Sequence, residues 1–293
     1  MSVREYVITT DSTTDLPESF FAENGVGMMH VDYIVDDVLY DGTEKKLSHQ
    51  EFYDFIRNGA MPVTQQINPQ RGKEQLEYYV KQGKDVLHIA FTSGMSGTYN
   101  SMCMAQRELS EEYPDAKVVI IDSLCASLGE GLLVYYAVQL QKQGKTIDEV
   151  AQWVEDNKLR LFHNVVADDL FHLHRGGRVS KTAAIMGSAL GIKPMIYVND
   201  EGKLIPYSKS RGKKTALNQM AEKLAKDIVG HKNDIILISH SDALADAEYL
   251  RDLIREKTGM ENFLIHYIGP TIGAHTGVGT VAVFYMAESR HIN

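Results

Sequence analysis

Residues 85–101 read DVLHIAFTSGMSGTYNS. The first six are apolar enough and short enough for a buried strand, and a helical pattern starts near Gly97 and runs to Tyr113, before Pro114. Between them serines, threonines and glycines crowd around Met95. Strand, polar loop and helix make half of a βαβ unit, and the same rhythm extends in both directions. Upstream, REYVITT reads as a strand that ends in the turn DSTTDLP. The helix PESFFAENG follows, with Pro17 in its first turn and Gly25 near its stop. VGMMHVDYIV reads as one further strand. Ser48 with Glu51 and Thr146 with Glu149 form capping boxes, and Asn68 caps a helix that begins at Pro69. Downstream, the strand KVVIID precedes the helix SLGEGLLVYYAVQLQKQG. This alternation predicts a parallel sheet covered by helices on both faces. In such sheets ligands bind beyond the carboxyl ends of the strands, which is where DSTTD and TSGMSGT fall.

The second half reads differently. LRLFHNVVA is a strand, and IKPMIYVNDEGKLIPYSKS is a hairpin about Asp200-Glu201-Gly202. A helix starts near Lys213. The strands DIILISHSD and NFLIHYIG flank the helix ALADAEYLRDLIREKTG. GAHTGVGTVAVFYM reads as a glycine-rich turn into a last strand. The expected architecture is α/β in two domains. Residues 1–158 form an N-terminal three-layer domain with a parallel sheet, and residues 159–293 form a C-terminal α/β domain with a mixed sheet. The ligand is expected between them.

Composition removes several function classes. The chain has 293 residues, a formal net charge of −9 and a pI of about 5.7. An acidic surface does not displace phosphate counterions, which excludes non-specific nucleic-acid binding and disfavours anionic membranes. No run approaches the ~20 apolar residues of a membrane span, so no stable membrane insertion is expected. Glu5 and Asp11 interrupt the N-terminal region where a secretory leader needs apolar residues. The two cysteines, Cys103 and Cys125, form no CxxC and read as thiols of a reducing compartment. A cytoplasmic location is expected.

The motifs narrow the chemistry. Gly144-Lys145-Thr146 ends like a phosphate-binding loop, but Gln139 stands where its first glycine belongs. Gly277 and Gly279 share the spacing of a dinucleotide loop but lead into a strand. The acidic pairs Asp11/Asp15, Asp36/Asp37 and Asp168/Asp169 have no histidine at ligand spacing, and no metal site is expected. Gly94-Met95-Ser96-Gly97-Thr98 lacks the second glycine of a nucleophile elbow. The order Ser96, Asp242, His275 keeps a serine hydrolase as the alternative. TSGMSGT also combines hydroxyls, glycine-exposed N–H groups and a helix start, the elements of a small anion pocket. Ser96 acting only as a helix cap is the plainer reading of the same loop.

Further segments mark a resemblance. Asp11-Ser12-Thr13-Thr14-Asp15-Leu16-Pro17, Pro62-Val63-Thr64, TSGMSGTYNS, Ile121-Asp122-Ser123, Arg175-Gly176-Gly177-Arg178-Val179-Ser180, Lys193-Pro194 and His275-Thr276-Gly277 occur in order along nearly the whole chain. Together they resemble the DegV family, which is similar to the fatty-acid-binding subunits of bacterial fatty acid kinase. The resemblance implies a long-chain fatty acid such as palmitate or oleate held between two α/β domains. It implies a separate kinase catalytic subunit that phosphorylates the carboxylate to an acyl phosphate, with no catalysis and no cofactor in the carrier itself, in a route of phospholipid metabolism. Matched by motif, Thr64, Ser96, Ser93, the Gly97 N–H and His275 are expected around the carboxylate. Arg175, Arg178 and Arg211 are expected to dock the kinase. Met95 is the chosen tunnel residue, with Leu124, Ile185, Met186 and Ile192 as further lining candidates. The chain departs from the family pattern at Gln65, at Val278 in place of proline, and at His174 in place of lysine.

Overall fold

A computed structural model describes residues 4–168, 170–181 and 191–292. Thirteen strands among these residues form three sheets. The first is parallel, in the order β2 (Gly27–Met29), β1 (Tyr6–Asp11), β6 (Asp85–Ala90) and β7 (Val118–Asp122). The second has six strands: β10 (Leu204–Arg211), β9 (Ile192–Val198), β8 (Leu161–Val166), β13 (Val281–Met286), β11 (Ile236–His240) and β12 (Phe263–Tyr267). It is mixed, because β11 and β12 run parallel while the other neighbours are antiparallel. The α/β class, the parallel sheet and the mixed sheet agree with the sequence reading. The two large sheets fall on either side of the turn Lys158–Arg160.

One expectation needs correction. VGMMHVDYIV is not a single strand. Its first part pairs with β1, whereas Tyr33–Val35 (β3) joins a small antiparallel sheet with Val38–Tyr40 (β4) and Val63–Thr64 (β5). The chain changes sheets at Val31, whose N–H donates to Ser12 Oγ at 3.0 Å instead of to a strand. This third sheet carries Thr64.

The predicted caps are all present. The capping boxes of Ser48 with Glu51 and Thr146 with Glu149 are closed, and the Asn68 side chain accepts from Arg71 N–H. The helix Leu128–Lys142 is apolar almost all round, and such a helix must be covered all round. Its residues pack with Ile8, Leu87 and Ile89 of the parallel sheet and with Leu237, Ala282 and Phe284 of the mixed sheet in one cluster. The opposite face of the mixed sheet, with Ile236, Ile238, Val281 and Val283, packs on the helices Lys213–Asp227 and Leu244–Thr258. The helix thus keeps the two sheets apart, and beyond its N-terminal end the space between them is not filled.

Candidate functional site

That space is a cavity of about 300 Å³. Its floor is the mixed sheet, where Ser239, Ala282, Val165 and Ile196 lie side by side on adjacent strands. Phe284, Val198 and Leu204 continue the apolar wall, and Phe91 and Ala126 close it from the N-terminal half. The volume is at the small end of ligand cavities, and the mixture of apolar walls with a few grouped polar atoms is their usual character.

Ser127, His163 and Ser239 put polar atoms elsewhere in the lining, and a further polar group comes together at one end. Thr64 comes from β5, Ser96 and Gly97 from the loop after β6, and His275 from the short helix Pro270–Thr276. Thr64 Oγ1 and His275 Nε2 are 2.9 Å apart. His275 Nδ1 is buried and has no hydrogen-bond partner among the described residues. A lone pair left unpaired costs less than an orphaned N–H. We therefore place the ring proton on Nε2, donating to Thr64 Oγ1. The Thr64 hydroxyl proton is then free to point into the cavity. Ser96 Oγ accepts from Thr98 N–H at 3.2 Å and donates to Thr98 Oγ1 at 3.0 Å. Ser96 therefore braces Thr98, the first residue of the following helix, whose cap position is Gly97, and lines the cavity as well. Gln66, also at this end, is exposed, so the polar end reaches the surface.

Two glycines make the packing possible. A side chain on Gly176 would come within 2.2 Å of His275 Nδ1, and one on Gly97 within 2.2 Å of Gln66 Oε1. The double glycine after Arg175 is therefore a seat for the imidazole. Burial, helped by the charges of Arg178 and Arg175 and by His172, pushes the His275 imidazole down to about 4. It is neutral at pH 7. Its nuclear magnetic resonance titration in the ligand-free protein is expected to have a midpoint near pH 4, with no step between pH 6 and 8. The unfolded chain takes up this proton near the ordinary value of about 6.5. His275 therefore costs stability as the pH falls from there towards 4.

The expected site residues are only partly gathered. Thr64, Met95, Ser96, Gly97 and His275 all line the cavity. Ser93 does not: its side chain is exposed and its N–H donates to Asp122 Oδ1 at 3.1 Å, turning the residue away. Leu124 and Ile192 are absent from the lining. Ile185 and Met186 lie outside the described residues. Arg178 is a half-buried wall residue of the cavity, and its Nε donates to Met95 O at 3.2 Å across the polar end. Burial lowers its guanidinium from the ordinary value. Arg175 binds the carbonyls of Met61, Pro62 and Ala274 and so ties β5 to the His275 helix. Arg211 is exposed at the end of β10. The sequence reading missed Gln66, Thr98 and Gly176. It also missed the helix under His275, which Pro270 at its first position and Gly277 beyond its end, at φ 68°, would have signalled.

The hydrolase triad is not assembled. Asp242 is engaged by Arg57 and by Tyr267 Oη, and the Nδ1 atom that a triad acid must hold has no partner among the described residues. Ser96 bonds to Thr98, and the partner of His275 Nε2 is Thr64.

Two α/β lobes closed over a largely apolar cavity, with hydroxyls and one neutral imidazole at one end, define a two-lobed protein with an interior chamber. The chain belongs to the DegV family, whose model, described as "Uncharacterised protein, DegV family", matches residues 5–288. A DegV domain-containing protein of Clostridium perfringens is 47% identical over 289 residues, covering 98% of this chain and 99% of the relative. Among solved structures, a fatty acid binding DegV family protein from Streptococcus agalactiae is 28% identical with a TM-score of 0.85, covering 98% of this chain and all of that one. A DegV lipid binding protein from Thermotoga maritima is 27% identical with a TM-score of 0.84 at the same coverage.

Proposed function

We propose that the protein binds a long-chain fatty acid, such as palmitate or oleate, and presents its carboxyl group to a kinase partner that phosphorylates it to an acyl phosphate. The protein supplies no chemistry of its own and works in the cytoplasm. The observation that carries the reading is the apolar cavity ending in the Thr64–His275 pair at 2.9 Å. The fatty acid binding described for the Streptococcus agalactiae relative supports it.

The energetics suit a carrier. Each buried methylene contributes about 0.8 kcal/mol, so a tail of roughly fourteen supplies about 11 kcal/mol at most. Lost translational and chain freedom takes back several kcal/mol. The tail alone then gives useful affinity, and the head needs only to avoid a desolvation penalty. Thr64 Oγ–H and the Gly97 N–H are uncharged donors, joined by Ser96 when its hydroxyl proton turns from Thr98 Oγ1 to the head group, and such donors satisfy a carboxylate or the larger acyl phosphate alike. Arg178 supplies a positive charge at the edge of this group without replacing them. Thr64 and His275 are only half-buried, which leaves the carboxyl within reach of a partner. Arg211, outward-facing, is the residue of the three arginines best placed for docking.

Native and denaturing mass spectrometry of the purified protein test the reading. An acyl chain is expected to co-purify or to bind on addition of palmitate or oleate, and a protein that takes up neither is not a carrier. The double variant Thr64→Ala with Ser96→Ala is expected to retain the tail but slow phosphorylation by the kinase at least tenfold. Unchanged turnover would remove these hydroxyls from the head site.

A further inference from the structure

The DSTTD turn holds an acid that serves both lobes. Asp15 is buried and adopts a left-handed backbone at φ 53°. Its Oδ2 accepts from Ser127 Oγ at 2.5 Å, at the start of the shared helix. Its Oδ1 accepts from Gly269 N–H at 2.9 Å, and its carbonyl oxygen accepts from His266 Nδ1 at 2.9 Å. Gly269 immediately precedes Pro270, the first residue of the helix that carries His275. That helix has seven residues. So short a helix makes few internal hydrogen bonds and is not stable by itself, so its position is set by whatever grips it. Two further bonds assist: Thr271 Oγ1 donates to Val31 O at 3.1 Å and Tyr53 Oη donates to Ile268 O at 2.7 Å.

We propose that Asp15 is a positioning residue for the head-group site: it seats the Pro270–Thr276 helix of one lobe on the other and so sets where His275 meets Thr64. Asp15 is not itself part of the cavity lining, although it holds the lining residue Ser127, and it acts on the His275 helix through Gly269. Burial, with the charge of Asp11 adding to it, pushes the carboxyl up to about 7. The part that matters is the Oδ1 acceptor, which a carboxylate, a carboxylic acid and an asparagine amide all offer. Glu130 is buried in the same acid cluster, bonded to Thr10 and Thr13, but is not bonded to the His275 helix.

This difference provides the experiment. The imidazole nitrogen resonances of His275 and the dissociation constant for palmitate are measured in four variants. Asp15→Ala is expected to move the His275 resonances and to weaken palmitate about tenfold, while Asp15→Asn keeps both near wild type. Glu130→Gln is expected to lower the melting temperature with the His275 resonances in place. Gly269→Ala approaches from the other lobe, since its new methyl would lie 2.9 Å from Asp15 Oδ1, and it is expected to move the same resonances even if Asp15→Ala does not fold. Unmoved resonances in both Asp15→Ala and Gly269→Ala would overturn the assignment. So would equal movement in Glu130→Gln, which would make the effect general loosening. The affinity arm rests on the fatty-acid reading and the resonance arm does not. A wild-type protein that binds no palmitate therefore defeats the proposed function and leaves the positioning role to be judged on the resonances.

Discussion

Replacing Ala282 by phenylalanine is expected to weaken the proposed fatty-acid binding about a hundredfold while leaving the fold intact. Ala282 is buried on β13, flanked by Ser239 on β11 and Val165 on β8, and its small side chain leaves room for the cavity above it. A phenyl ring turned towards the cavity enters space that the proposed tail occupies, away from the side on which Ala282 packs in the shared core cluster. Displacing about four methylenes removes roughly 3 kcal/mol, or on the order of a hundredfold in affinity. Titration with palmitate followed by tryptophan-free detection, such as calorimetry, measures it. The head-site residues are untouched, so binding that survives within threefold would place the tail elsewhere.

Replacing Arg290 by methionine is expected to cost about 3 kcal/mol of stability or more. Arg290 is completely buried, yet no carboxylate pairs with it among the described residues. Its partners are the carbonyl oxygens of Leu124, Asn199 and Lys158 and the Cys125 thiol. These lie in the loop after β7, in the hairpin turn between β9 and β10, and at the junction of the lobes. Methionine fills much of the volume but leaves Leu124 O without a donor and Lys158 O with only the distant Cys125 thiol, each at a penalty of about 1–3 kcal/mol before relaxation, while Asn199 O keeps the Gly202 N–H. For a chain of this size the melting temperature should fall by on the order of 6–10 °C. Calorimetry giving a shift below 2 °C would mean that the carbonyls find other donors and that Arg290 is not the clamp described.

The fold was legible where local chemistry and burial agree. Capping boxes, Asn68 with Pro69 and the apolar runs of β1, β6 and β13 each specify one local structure, and tertiary packing does not contradict them. The small sheet was not legible, because its strands have three, three and two residues, too short for a period-two pattern. The same limit applies to the site. Thr64, Ser96 and His275 carry motif signals, but whether Ser93 or Arg178 faces the cavity depends on rotations of single residues in loops. Asp122 draws the Ser93 backbone outward, and Met95 O draws the Arg178 guanidinium inward. Both are partners distant in sequence, and no spacing rule reports them.

The helix Leu128–Lys142 belongs equally to two sheets, and this makes the polypeptide indivisible. Severed at the turn Lys158–Arg160, the C-terminal piece would expose Leu237, Ala282 and Phe284 to water, and the N-terminal piece would carry a helix with one greasy flank uncovered. Each fragment would be an adhesive surface in search of the other. The chamber's roof and floor therefore rely on each other for shelter from water, and neither is expected to stay dissolved without its counterpart.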